Sequence, residues 1–267
     1  MHALLNHPAI QAGLIPFIAA LLSAELFLRL RLSGLAIVAG FSATVYFAGS
    51  FTLEPHTISQ KIVWLGIAAS ALAIPLTLLN WTSWRYLLTA LAAASAVWLT
   101  WETLQQRALT DTVIWVAGCA LYTGWLVFWF DGLKEKSVAA GNAGMALGIG
   151  TGVAALIGAV ELPGLLGLAT GAAAAGYLFL QLITNNRLPC GRSFTLPLAL
   201  IAGLVASFSV ASSHQPWYTL AALGMIPFAG LIPVPEKWAI WLQSLTLSLL
   251  TAGCAAAAVY MTWRPPF

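Results

Sequence analysis

The chain is a succession of apolar runs about 20 residues long, separated by polar breaks of roughly 2 to 10 residues. A helix of that length spans about 30 Å, the thickness of a bilayer's hydrocarbon core, where only helices or closed barrels satisfy their own backbone. Charged residues make up 7% of the 267 positions and hydrophobic ones 60%, whereas a soluble domain carries about 25% charged residues. The pattern predicts an all-α polytopic membrane protein with about ten transmembrane helices. The runs place them near 10–30, 33–52, 59–79, 83–102, 112–131, 137–160, 163–184, 193–212, 217–233 and 238–262. The ninth is the weakest, because Pro227, Pro233 and Pro235 interrupt it. Such short breaks leave no room for a soluble domain, so residues 1–267 read as a single membrane domain.

Alternate breaks differ in basic charge. One set carries Arg29, Arg31, Arg85, Lys134, Lys136, Arg187, Arg192 and Lys237; the other carries only Lys61, Arg107 and Arg264. The positive-inside rule puts the richer face in the cytoplasm and both termini outside, as expected of a multi-pass protein of a bacterial-type inner membrane. Tryptophans such as Trp64, Trp98, Trp101, Trp217, Trp238, Trp241 and Trp263 cluster near the expected span ends, as an interfacial belt would. The first residues lack a basic leader region and a small-residue cleavage site, so the first apolar run is expected to persist as a helix. No basic run is dense enough for nucleic acid. The bilayer itself is the expected partner, with protein partners or a second copy left open.

The segment LLTALAAASAVWLTW, from Leu87, returns as LLTAGCAAAAVYMTW, from Leu249, with ten of fifteen positions identical. Earlier segments match as well, LAIVAGFSATVYFAGS from Leu35 with LALIAGLVASFSVASS from Leu198. These pairs predict two parallel four-helix repeats, about 10–102 and 163–263, flanking two central helices over about 112–160. The four-two-four layout differs from the inverted five-plus-five layout of drug/metabolite transporters. It also differs from haem A synthases, whose parallel halves carry histidines inside helices.

Few residues offer chemistry. Glu25 is costly inside a span, and Arg29, four residues on, is placed to pair with it; the second copy has Tyr177 and Gln181 at these positions. With Asn142 they form an expected polar pathway of Glu25, Arg29, Asn142, Tyr177 and Gln181. His56 and His214 fall at equivalent external positions in the two repeats, a pair that could ligate haem or metal or sense pH. Gly144, Gly148 and Gly152, four residues apart, predict close helix packing. The other acids, Asp131 among them, sit at span borders and read as solvated helix ends. Pro75 and Pro233 occupy equivalent positions, and paired breaks of that kind can build transport sites. Cys119, Cys190 and Cys254 lack metal or redox spacing, and no hydrolase, kinase or zinc-protease signature occurs. No cofactor, metal site or catalytic residue is therefore expected. The leading expectation is a transporter or permease for a neutral or weakly polar small solute. A non-catalytic membrane subunit is the alternative, and a haem or metal protein using His56 and His214 a third.

Overall fold

The computed structural model describes residues 7–28, 32–47, 57–79, 84–105, 108–212, 215–235 and 237–264. Among the described residues every regular element is helical. The helices are α1 (Ile15–Leu26, entered through a π-turn at Ile10–Leu14), α2 (Ala36–Phe47), α3 (Ile58–Leu79), α4 (Trp84–Leu104), α5 (Leu109–Asp131) and α6 (Ser137–Ile157). They continue with α7 (Glu161–Thr184), α8 (Gly191–Ala211), α9 (Tyr218–Gly224), α10 (Ile226–Leu231) and α11 (Ile240–Trp263).

Seven of these, α3 to α8 and α11, are long and apolar enough to cross a membrane, and the protein is an α-helical integral membrane protein. The expected first, second and ninth spans are occupied by shorter apolar helices. At 1.5 Å per residue, the stretch from Tyr218 to Leu231 reaches only about 21 Å. Pro227 starts α10 and breaks the ladder after α9, and the chain leaves the helix before Pro233, since proline has no N–H to give. The two copies of the repeated segment both lie in long helices, α4 and α11. Their matched threonines do the same thing: Thr100 donates to the Ala96 carbonyl and Thr262 to that of Ala258. Their surroundings differ, since α4 lies against α5 and α8 whereas α11 lies against α6, α9 and α10.

The centre of the bundle is α8, whose apolar span is 94% buried. It touches α2, α3, α4, α5, α6 and α7. The next most buried helices are α6 and α7, packed on each other along glycine. A β-carbon on Gly148 would fall 2.3 Å from the Gly171 nitrogen, and one on Gly152 would fall 2.4 Å from the Leu168 nitrogen. Gly144 differs, facing the Leu198 side chain of α8 and the Ala174 methyl of α7. The reversal between α6 and α7 is a Schellman turn: Val160 N–H donates to the Ala155 carbonyl and Ala159 N–H to that of Leu156. The left-handed position usually given to glycine there is held by Ala159, at φ 58°.

Local sequence sets other ends. Thr57 and Gln60 form a capping box that opens α3, each side chain accepting the other's backbone N–H. Asn185 closes α7 in the left-handed region at φ 48°. Trp98, Trp101, Trp217, Trp238, Trp241 and Trp263 are exposed near helix ends, where an amphipathic ring meets both hydrocarbon and water.

Candidate functional site

The turn after α5 and the loop after α7 meet at one end of the bundle. Asp131, the last residue of α5, is buried; it accepts a hydrogen bond from Arg192 Nε at 2.7 Å, and Lys134 Nζ lies 3.8 Å from its other oxygen. The loop is tied to the turn by Gly191 N–H, which donates to the Lys134 carbonyl. Gly191 sits at φ 66°, and a β-carbon on it would press on the Thr77 methyl at 2.8 Å, so this junction favours glycine twice over. On the other side of α5, the Arg85 guanidinium donates through Nε and Nη2 to the Phe128 carbonyl and lies 3.5 Å from the Phe128 ring centre. A cation at the carbonyl end of a helix complements its dipole. Arg85, Lys134, Lys136, Arg187 and Arg192 are thereby gathered at one end, called here the basic end. At the opposite end the described residues hold the buried Lys61, paired with Glu102 at 2.6 Å.

A cavity of about 300 Å³ opens at the basic end. Lys136, Ser137, Arg187, Pro233 and Gln243 line it, with Val138 and Leu247 inside. Gln243 is anchored, its amide donating to the Trp238 carbonyl at 2.8 Å while its oxygen accepts from Arg187 at 3.4 Å. One helical turn deeper, about 5.4 Å on, Asn142 is fully buried between α6 and α11. Its Oδ1 accepts from the hydroxyls of Ser244, at 3.3 Å, and Ser248, and its Nδ2 donates to the Val138 carbonyl at 2.7 Å. On the α7 side of the same turn Gln181 is also fully buried; Nε2 donates to the Ser137 carbonyl at 3.5 Å, and Oε1 has no hydrogen-bond partner. The start of α6 thus carries neutral amides on two sides, with a vestibule below them. A second cavity of about 600 Å³ adjoins it, sharing Glu135, Ser137 and Arg187 and reaching Lys134, Leu188 and Cys190. Burial pushes the Cys190 thiol up, so it stays protonated near neutrality.

The residues expected from sequence therefore separate. Asn142 and Gln181 come together around the first turns of α6. Tyr177 is buried away from water, its hydroxyl donating to the Leu188 carbonyl at 2.9 Å and its ring 4.6 Å from that of Phe194. Glu25 is exposed on α1, and its expected partner Arg29 lies outside the described residues. His56 and His214 also lie outside them. Pro233 lines the vestibule, whereas its counterpart Pro75 is exposed within α3.

Asp131 corrects the reading of border acids as solvated ends: it is buried because Arg192 and Lys134 compensate its charge there. Ser244, Ser248 and Gln243 were not singled out by sequence, although SLTLSL alone places two serines four residues apart on one face of an otherwise apolar helix. Among the described residues no cluster of three His, Cys, Asp or Glu side chains is placed to hold a metal ion. No protein-family model matches the chain, and no curated protein matches it either.

Proposed function

We propose that this integral membrane protein is a permease for a small, neutral or weakly polar solute, with its pathway entered at the basic end and running along the α6–α11 seam. The supporting observation is the Asn142–Ser244–Ser248 cluster one turn above an open vestibule. Buried polar side chains in a membrane helix are expensive unless they face a partner or a water-filled path, and they mark substrate routes. This cluster offers amide and hydroxyl groups without net charge, which suits a solute that exchanges hydrogen bonds rather than one needing a counter-ion. By the positive-inside rule the basic end is cytoplasmic, so the vestibule is an inward-facing one. The pathway reading of sequence narrows to Asn142 and Gln181, joined by Ser244, Ser248 and Gln243.

Osmotic swelling of proteoliposomes in glycerol, urea and erythritol tests this reading. Faster swelling than in empty vesicles is expected for at least one solute, and Asn142→Leu should reduce that excess severalfold while the protein remains monodisperse. Swelling equal to that of empty vesicles for all three, or an unchanged rate with Asn142→Leu, would count against it.

A further inference from the structure

The mouth of the vestibule carries more positive charge than a neutral solute needs. Lys136 and Arg187 line it, Lys134 and Arg187 line the adjoining cavity, and on the described walls of both the single carboxylate is Glu135, which is exposed to water. Asp131 offsets little of this charge, because its carboxylate is held by Arg192 at 2.7 Å and lies 3.8 Å from Lys134. Lys136 makes no ion pair among the described residues. Ser137 stands where the two cavities meet. It is only 6% exposed, and its hydroxyl opens onto that space with no hydrogen bond to any described residue. Ser137 also starts α6, and Lys136 before it supplies no side-chain cap. The N–H groups of Ser137, Val138 and Ala139, at the cavity wall, therefore have no acceptor among the described residues.

Hydroxyl, N–H groups and cations all call for an acceptor that carries negative charge, and donors left unmatched at a buried wall cost free energy until they meet one. A phosphate group meets each of them, since helix starts and basic side chains both bind phosphate oxygens. Position narrows the source. The 21 residues of α6 span about 31 Å, close to the thickness of the hydrocarbon core, so Ser137 lies at the membrane interface, where phospholipid phosphates sit. The adjoining cavity reaches the exposed Leu28 beyond the end of α1, apolar surface that an acylated glycerol would cover and a free phosphate ion would not. Basic pockets between membrane helices hold anionic headgroups in this way. We infer that the basic end binds the phosphate of an anionic phospholipid, held by Lys136, Arg187, the Ser137 hydroxyl and the first N–H groups of α6. Binding defines this site, so it stands or falls independently of permeation.

The test is native mass spectrometry of the purified full-length protein with equal amounts of dioleoylphosphatidylglycerol and dioleoylphosphatidylcholine, alongside equilibrium dialysis against radiolabelled inorganic phosphate. Retention of one phosphatidylglycerol in preference to phosphatidylcholine is expected. Lys136→Gln combined with Arg187→Gln should cut that preference about tenfold, and Ser137→Ala about threefold. Both basic residues are exposed, so the double variant should fold. Arg264→Gln removes a charge from the opposite end and should leave the preference unchanged. No preference in the wild type, or one that survives the double substitution, would overturn the lipid assignment. So would an equal loss in Arg264→Gln, which marks an effect of overall charge. Dialysis separates the other source: phosphate bound without any lipid preference, and lost in the double variant, would assign the same groups to a soluble phosphate instead.

Discussion

Helix α6 presents two different faces. Towards α7 it is glycine against glycine, with backbones so close that no side chain fits between them. Towards α11 it carries Asn142, bonded to two serines above an open cavity. Without water to drive apolar surfaces together, helices in a membrane hold through close van der Waals contact and through hydrogen bonds. Here the α7 face relies on close contact, and the α11 face adds hydrogen bonds to it. The glycine seam fixes α6 against α7, and the hydrogen bonds from Ser244 and Ser248 to Asn142 tie it to α11. What distinguishes the faces is the added polar cluster, since small residues meet on the α11 face too, where a β-carbon on Gly150 would fall 2.9 Å from the Ala255 methyl.

Five substitutions, one of them a control, probe that contrast. The largest effect is expected from Asp131→Asn, which strips the charge from the pair holding the turn from which both faces of α6 begin. Leaving Arg192 buried with a neutral partner should cost about 3–5 kcal/mol, seen as a fall in the midpoint of detergent-induced unfolding. Next comes Gly148→Ala. Its methyl would sit against the backbone of Gly171, and forcing the seam apart should cost about 1–3 kcal/mol. Gly253→Ala, whose β-carbon would meet nothing, should cost none and serves as the control. On the polar face, Ser248→Ala removes one donor to Asn142 while Ser244 remains, so about 0.6 kcal/mol is expected from the same unfolding measurement. A cost as large as that of Gly148→Ala would mean that the polar face is structural in the same sense as the glycine face. The smallest effect runs the other way: Ala159→Gly relieves the left-handed alanine that closes the α6–α7 turn, for a net gain of about 0.5 kcal/mol after the added freedom of the unfolded chain.

Membrane class was legible in sequence because the solvent imposes it: a run of 20 apolar residues has few alternatives. Of the three short helices, the ninth expected span was marked as weak by Pro227, Pro233 and Pro235, whereas hydropathy alone did not single out the first and second. The glycine spacing at 144, 148 and 152 pointed to close packing without naming the partner, and the three glycines divide between α7 and α8. Asn142 stood out as a polar residue near the start of an apolar run, and Gln181 as the repeat's counterpart of Arg29. Glu25 stood out as a costly carboxylate within a run and is exposed, because one-dimensional pattern does not say which face of a helix meets the bundle. Asp131 was passed over because its compensating charge, Arg192, is 61 residues away and only the fold brings it near. Ser244 and Ser248 were readable as a polar stripe in SLTLSL, but what they face became visible only once α11 was seen against α6.

The proposed pathway requires water to reach the α11 face of α6 and not its α7 face. Thiol accessibility tests it most directly, in a background with Cys119, Cys190 and Cys254 replaced by serine or alanine. Ser248→Cys reports the polar seam, and Thr170→Cys, at a fully buried position on α7, reports the dry core. In inside-out vesicles, which on the proposed orientation present the basic end to the medium, a membrane-impermeant maleimide is predicted to modify Ser248→Cys and leave Thr170→Cys unmodified. No modification at Ser248→Cys, or equal rates at both positions, would contradict the account.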